Sequence, residues 1–185
     1  MNIFFLSECP VKAAKMQCSK HIVKMALESA QMLSSTHRIL DGVKTSRLSK
    51  SGNSTVKHWT HPTWDHVLYK ASHVGHPCTQ WTMATKKNYE WHFLHWKAIS
   101  NEYSHRYGKI HASWSKLKDV LSLAPENIAD GKMTSPALAM PEEFKMECPV
   151  ESYRNYYFSK SENFKMEWHN SETPKWFKER MESHG

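Results

Sequence analysis

The sequence contains no run of 18 or more apolar residues, so it predicts no membrane-spanning helix. Residues 1–15 hold only a four-residue apolar run, followed rather than preceded by lysines, which is not the pattern of a secretory signal. Cysteine is scarce, with four among 185 residues and no CxxC pair, so neither a disulfide framework nor a cysteine-based zinc site is predicted. These absences favour a soluble cytoplasmic protein with free, mostly buried thiols.

The common nucleotide and hydrolase motifs are also missing. There is no glycine-rich phosphate loop, no dinucleotide-binding fingerprint, and no GxSxG or HExxH motif. Enzymes that act with nucleoside triphosphates or dinucleotides are therefore disfavoured.

Positive charge is confined to the first half of the chain. Residues 1–87 contain twelve Lys or Arg against four Asp or Glu, whereas residues 88–185 contain thirteen against fourteen. A basic half of this kind is typical of a surface that meets a polyanion, such as nucleic acid or an acidic membrane.

Apolar periodicity and chain breakers predict a mainly α fold. Helices are expected at about 10–35, 79–107, 111–123 and 151–168, after a brief extended segment at Ile3–Leu6. Asp41-Gly42 predicts a turn after the first helix, and Gly108 a stop for the second.

Two segments show no periodicity, namely 43–75, a long basic loop, and 124–150, which is irregular and contains several prolines. A loop as long as 43–75 is usually functional or mobile. We therefore expect residues 1–185 to form a single compact helical domain with long irregular loops.

The first predicted helix is apolar around most of its circumference and polar along one narrow stripe. Plotted at 100° per residue, the stripe contains Gln17, Lys20, His21, Lys24, Glu28 and Gln31. Such a stripe is either the solvated face of a core helix or the lining of a cleft. In a cleft it would offer cations for a phosphate, a titratable imidazole, a carboxylate and an amine nucleophile. We predict catalytic roles for Lys20, His21, Lys24 and Glu28.

The second predicted helix places aromatic residues beside amide, imidazole and guanidinium groups on its buried side. This combination suits a nucleobase, which offers π-faces and hydrogen-bonding edges, and the alternative is that these groups are partners of one another in the core. A Glu102–Arg106 pair at i,i+4 is a ready structural explanation for two of these groups. With similar groups near the C-terminus, the predicted nucleic-acid-binding residues are Gln17, Trp81, Asn88, Tyr89, His92, Arg106, Arg154, Tyr157 and Trp176.

The sequence contains thirteen histidines, and histidine is a common metal ligand. His92 and His95 share one helical face, and five more histidines crowd the segment 58–76. No zinc-finger spacing accompanies them. The leading prediction therefore includes no metal and no cofactor, and a histidine-based metal site remains an alternative.

Seven short stretches carry a resemblance that covers most of the chain. They are Cys18-Ser19-Lys20-His21-Ile22-Val23-Lys24-Met25, His76-Pro77-Cys78, Asn88-Tyr89, Glu102-Tyr103, Arg106-Tyr107-Gly108-Lys109, Ala139-Met140-Pro141 and Tyr153-Arg154-Asn155-Tyr156-Tyr157. In these stretches the chain resembles a family of small proteins encoded by phages and other large DNA viruses. If the protein is viral, the expected compartment is the cytoplasm of the host cell.

A more distant resemblance connects Leu6–Glu8, Met16–Lys24, Thr82–Lys109 and Lys175–Phe177 with the phage pyrimidine-dimer DNA glycosylases. In those enzymes a terminal amine attacks the sugar C1′, and a helix that carries an Arg-Glu pair and a second Arg follows. The resemblance places Lys20 and Lys24 at the arginine positions. His21 stands where the glycosylases have their catalytic glutamate, so that Glu28 would have to replace it.

The leading hypothesis is a DNA-acting enzyme of the base-excision or base-modifying kind, acting as a glycosylase-like hydrolase or lyase in DNA repair or modification. An amine of Lys20, Lys24 or the N-terminus would attack C1′, and the basic half would hold backbone phosphates around an extruded base. The alternatives are a non-catalytic nucleic-acid-binding module, an enzyme of nucleotides or small anions with a histidine-bound metal, and a viral protein that binds a host protein. No membrane partner is expected.

Overall fold

The fold was analysed in a computed structural model that describes residues 1–184. Within that range the chain forms seven α-helices and one two-stranded hairpin, which confirms a mainly α architecture. The helices are α1 (Pro10–Lys15), α2 (Ser19–Asp41), α3 (Pro77–Ala84), α4 (Lys86–Tyr107), α5 (Ala112–Leu121), α6 (Pro149–Ser159) and α7 (Lys175–His184). No helix in residues 1–184 has the length and apolar character needed to span a bilayer.

The first predicted helix, 10–35, is in fact two helices. The chain leaves α1 after Lys15 and starts α2 at Ser19, because side chains from distant parts of the sequence bind the backbone in between. Arg106 donates to the carbonyl oxygens of Lys15 and Gln17, and the Cys18 amide donates to the Tyr157 hydroxyl. Such long-range partners leave no trace in local periodicity.

The C-terminal end of α2 lies six residues beyond the predicted one. The helix runs to Asp41, and Gly42 ends it, in agreement with the predicted turn. A Cβ atom on Gly42 would lie 2.3 Å from the Arg38 carbonyl oxygen, so this position requires glycine.

The second predicted helix, 79–107, is also interrupted. Thr85 is extended (φ −144°, ψ 156°) and separates α3 from α4, and its hydroxyl accepts from the Asn88 amide as the N-cap of α4. Gly108 ends α4 in the left-handed conformation at φ 63°, which confirms the predicted stop.

The prediction of a long basic loop at 43–75 is wrong for residues 43–60. They form an antiparallel hairpin of β1 (Val43–Leu48) and β2 (Thr55–Thr60), with Val43 opposite Thr60 and Leu48 opposite Thr55. All six side chains of β1 are exposed. Because no face of the hairpin is packed on the core, the alternation of apolar and polar residues that marks a half-buried strand is absent.

The C-terminal third agrees only in part with the sequence-based expectation. The segment predicted to be irregular, 124–150, is irregular up to Cys148, apart from a single 3₁₀ turn at Glu142–Phe144, and its last two residues begin α6. Helix α5 matches the helix expected at 111–123. The helix predicted for 151–168 stops as α6 at Ser159, where a 3₁₀ turn over Lys160–Glu162 follows it. Residues 175–184, for which the sequence predicted no helix, form α7.

The buried side chains form two clusters that meet along α2. The extended segment Ile3–Leu6 packs in the first cluster with Ile22 and Met25 of α2, and Ala30 and Leu33 of the same helix belong to the second. Embedding α2 on these sides leaves one edge of the helix for polar side chains. That edge carries the candidate active site.

Candidate active site on the second helix

The predicted polar stripe of α2 is not uniformly exposed. Lys20 and Lys24 face solvent, with 60% of the Lys24 side chain exposed. His21 and Gln17 are buried, and Glu28 is partly buried, with 15% of its side chain exposed. The stripe therefore lies at the boundary between the core and the surface, where a carboxylate and an imidazole can sit next to solvated amines.

Aromatic groups and a cysteine enclose His21. The Tyr157 hydroxyl shares a hydrogen bond of 2.7 Å with His21 Nδ1, and the Cys18 sulfur lies 3.5 Å from the same atom. The Phe4 and Phe164 rings pack against the imidazole at 4.8 and 5.6 Å between centroids. This burial lowers the pKa of His21 to about 3, so the ring is neutral at neutral pH.

Three lysines gather near the His21 ring. After burial, the positive charges of Lys160, Lys24 and Lys20 are the next causes that lower the pKa of His21. Lys20 Nζ lies 4.3 Å from the centroid of the Phe164 ring, and Lys160 Nζ lies 4.1 Å from that of Tyr156. Sequence reasoning missed Lys160, which reaches the site from the end of α6. The group formed by Lys20, Lys24 and Lys160 is called the lysine cluster below.

Glu28 lies between two amino groups. One carboxylate oxygen is 3.6 Å from the α-amino nitrogen of Met1, and the other is 3.5 Å from Lys24 Nζ. The Met1 side chain is only 3% exposed, because the segment Ile3–Leu6 inserts the start of the chain into the core beside α2. Neither contact is a hydrogen bond, and Glu28 Oε2 has no hydrogen-bond partner, so exchange of a proton between the carboxylate and either amine requires a closer approach or one bridging water.

His76 extends the site on the side of Met1. It caps α3 by accepting a hydrogen bond from the Cys78 amide. Burial is the main cause that lowers the pKa of His76, and the nearby α-amino charge lowers it further, whereas Glu28 opposes the shift. The site thus combines the lysine cluster, two neutral imidazoles, one carboxylate and a terminal amine.

The residues predicted to bind a base on α3 and α4 are in the interior. Trp81, Asn88, Tyr89 and His92 are at most 5% exposed, and each makes at least one hydrogen bond to the protein itself, although His92 Nε2 has no partner. The Asn88 amide, for example, donates to the Trp81 carbonyl oxygen and the Thr134 hydroxyl, and its oxygen accepts from the Thr134 amide. Trp81 and Asn88 hold the 132–134 segment. Tyr89 binds His37 and the Leu121 carbonyl oxygen, and His92 binds Thr82, so all four lie in the interior, outside the site.

The other predicted nucleic-acid-binding residues divide into two groups. Gln17, Arg106 and Tyr157 are buried and bind protein groups, with Gln17 Nε2 3.2 Å from His95 Nε2. Arg154 and Trp176 are half-buried and stack at 5.5 Å in the wall of a groove of about 790 Å³. Glu102, Glu172 and Glu179 share that groove with its cations, so its charge is mixed.

His92 and His95, the pair considered for a metal, have protein partners at one nitrogen each: Thr82 for His92 and Gln17 for His95. Within residues 1–184 they do not join a third metal-ligand side chain, whereas His37, Asp41 and His61 do form such a group.

Comparisons with protein-family models, with curated proteins and with solved structures find no match for this chain. Its function therefore has to be inferred from the geometry and chemistry of its own residues.

Proposed function

We propose that the protein is a DNA-acting enzyme of the base-excision or base-modifying kind, in which an amine next to Glu28 attacks the sugar of an extruded nucleotide. The observation that carries this proposal is the position of Glu28 between the Met1 α-amino group and Lys24 Nζ, at 3.6 and 3.5 Å. Glycosylase chemistry through an imine needs a primary amine with a carboxylate in reach, and the site contains both.

The proposed reaction begins when the free amine attacks C1′ and the bond from C1′ to the base nitrogen breaks. The base leaves with the bonding electron pair and takes up a proton. The sugar ring then opens at the bond from C1′ to O4′, O4′ gains a proton, and C1′ becomes an imine carbon bound to the enzyme nitrogen. Glu28 is placed to accept the proton that the attacking nitrogen loses and to supply the proton that O4′ gains. Hydrolysis of the imine by water frees the amine.

Two basic surfaces support a nucleic acid as the substrate. The lysine cluster surrounds the amine site. The β1–β2 hairpin projects with Lys44, Arg47, Lys50 and Lys57 exposed, and residues 42–64 contain no Asp or Glu. A two-stranded ribbon fits the major groove of B-form DNA, and cations along it would contact phosphates.

Borohydride trapping tests the covalent step directly. The protein would be incubated with two labelled duplexes, one with an abasic site and one with modified pyrimidines, and reduced in situ. We expect a covalent protein–DNA band, and peptide mapping of that band would identify the amine as Lys20, Lys24 or Met1. The Glu28→Gln variant is expected to retain DNA and lose most of the band.

Lys97→Ala is the matched control for Lys20→Ala and Lys24→Ala, because Lys97 is exposed on the outer side of α4, away from the lysine cluster. The double variant Lys20→Ala/Lys24→Ala should lose the trapped band or move it to Met1, with an unchanged circular dichroism spectrum. The control should trap as the unchanged protein does. The absence of any covalent band with both duplexes would overturn the imine mechanism.

A non-catalytic nucleic-acid-binding module is the second candidate, and the exposed basic hairpin favours it. That function predicts salt-sensitive retention of both duplexes with no covalent product.

A further inference from the structure

A second group of chemistry-bearing side chains lies at the other end of α2. His37 and Asp41 are one helical turn apart on this helix, and His61 follows directly after β2. One ligand atom from each of the three lies within 4.8 Å of the other two. Two imidazoles and one carboxylate form the donor set of many catalytic zinc and non-haem iron sites.

The hydrogen bonds of Tyr89 fix the orientation of His37. The Tyr89 hydroxyl donates to the Leu121 carbonyl oxygen at 2.9 Å, so its oxygen accepts from His37 Nε2–H at 2.8 Å. The lone pair of His37 is therefore on Nδ1, an atom that is fully buried and has no protein partner. A histidine that donates its other N–H to a fixed group is the usual arrangement of a metal ligand.

His61 directs a second unpartnered nitrogen into the same space. Its Nε2 has no protein partner, the residue is 4% exposed, and the Trp64 ring stacks on it at 5.4 Å. Its Nδ1 accepts from the amides of Thr63 and Trp64. Coordination through Nε2 puts the ring proton on Nδ1, so binding of an ion must turn these two amides away. Two hydrogen bonds to a neutral ring contribute less free energy than a bond from imidazole to a divalent ion, so ion binding can drive this rearrangement.

Asp41 supplies the negative charge. It is half-buried, its Oδ2 accepts from the Glu126 backbone amide, and its Oδ1 accepts from both the backbone and the side-chain amide of Asn127, which holds the carboxylate in place and leaves a lone pair free on Oδ2.

We propose that His37 Nδ1, the Asp41 carboxylate and His61 Nε2 bind a divalent transition-metal ion of the zinc class. Three protein ligands leave a coordination position open for water or an anionic substrate. These three residues are distinct from Glu28, the Met1 amine and the lysine cluster. The metal-site proposal therefore does not depend on the proposed imine chemistry.

The test is a zinc titration of the full chain after chelator treatment and dialysis, followed by calorimetry and elemental analysis. We expect one ion per chain. Two variants remove a ligand and keep the local hydrogen bonds: in His61→Asn the new oxygen still accepts from Thr63 and Trp64, and in His37→Gln the new amide still donates to Tyr89. Loss of a residue that only supports a metal ligand lowers metal affinity by roughly 10–100-fold. Each of these two variants, and also Asp41→Asn, should weaken zinc binding by more than that.

His58→Asn is the matched control, because His58 lies in β2, three residues before His61 and outside the cluster, and it should leave the affinity unchanged. A second readout does not depend on affinity: the amide resonances of Thr63 and Trp64 should shift on zinc addition in the unchanged protein and remain in place in His61→Asn. Binding that is equally tight in all three ligand variants, or no binding at all, would overturn the site. Zinc binding with unmoved Thr63 and Trp64 amides would remove His61 from the ligand set and equally overturn it.

Discussion

Arg106 and Glu102, one turn apart on α4, form an ion pair of 3.0 Å inside the protein, with the Arg106 side chain fully buried. The same guanidinium donates to the carbonyl oxygens of Lys15 and Gln17, which stand at the break between α1 and α2. The i,i+4 pair that the sequence suggested therefore also determines where the first helical segment divides.

The Glu102→Gln substitution should destabilise the protein by about 3–5 kcal/mol, because it leaves a buried guanidinium without its counter-charge. Glu90→Gln is the control on the same helix. Glu90 pairs with Lys87 at the surface, where 61% of the Lys87 side chain is exposed, and its loss should cost less than about 1 kcal/mol. Urea unfolding at pH 7 measures both values. Equal losses for the two variants would contradict the structural role of Arg106.

Arg38 is predicted to hold the segment that follows the hairpin. Its buried guanidinium donates to the carbonyl oxygens of Trp59, Tyr69, Asp65 and Leu68 and to the Asp65 carboxylate. Arg38→Lys cannot keep this set of planar donors and should cost about 2–4 kcal/mol. Residues 59–69 should also become sensitive to limited proteolysis. Arg47→Lys, an exposed change in β1, should leave both the stability and the cleavage pattern as they are.

Acid should unfold this protein through its buried histidines. Burial lowers the pKa of His92 and of His21 to about 3 from an ordinary value of 6.5, so the unfolded chain binds protons that the folded chain does not. The stability that each ring contributes is complete above pH 6.5 and is lost as the pH falls toward 3. The loss is at most about 1.4 kcal/mol per pH unit for each ring.

Urea unfolding at pH 7, 5.5 and 4.5 measures this slope. His92→Asn, whose amide can replace the Nδ1–H that donates to the Thr82 hydroxyl, should make the slope shallower by about one proton. A slope equal in the unchanged protein and in His92→Asn would show that His92 is not a source of acid sensitivity.

Neutralising the hairpin should weaken DNA binding without affecting covalent chemistry at the amine site. Replacing Lys44, Arg47 and Lys57 by Gln removes three exposed cations, and each lost phosphate contact should lower the slope of log K against log salt by about 0.9. Fluorescence anisotropy with a duplex at several salt concentrations measures the slope. Lys97→Gln is the control for a cation away from the hairpin, and a triple variant with the slope of the control would exclude the hairpin from the interface.

Local sequence signals determined the helical content and some helix ends. The polar stripe of α2, the stop at Gly108, the turn at Asp41-Gly42 and the Glu102–Arg106 pair depend on residues within a turn or two of each other, so the sequence suffices to predict them. The excess of positive charge in the first half can be counted directly from the sequence.

The hairpin and the helix breaks were decided by contacts that local patterns do not contain. The hairpin is fixed by cross-strand pairing and by Arg38 on α2, not by a buried apolar face. The break before Ser19 depends on Arg106 and Tyr157, which are distant in the sequence.

The candidate site also depends partly on local sequence patterns and partly on tertiary contacts. Periodicity placed Lys20, His21, Lys24 and Glu28 on one stripe, but only the fold brought Lys160 and the Met1 amine to that stripe. The aromatic and amide groups of α4 satisfy the sequence pattern of a base pocket, and tertiary packing places them in the core instead. Helical periodicity tells which residues share a face, whereas the neighbour that covers the face depends on where the rest of the chain packs.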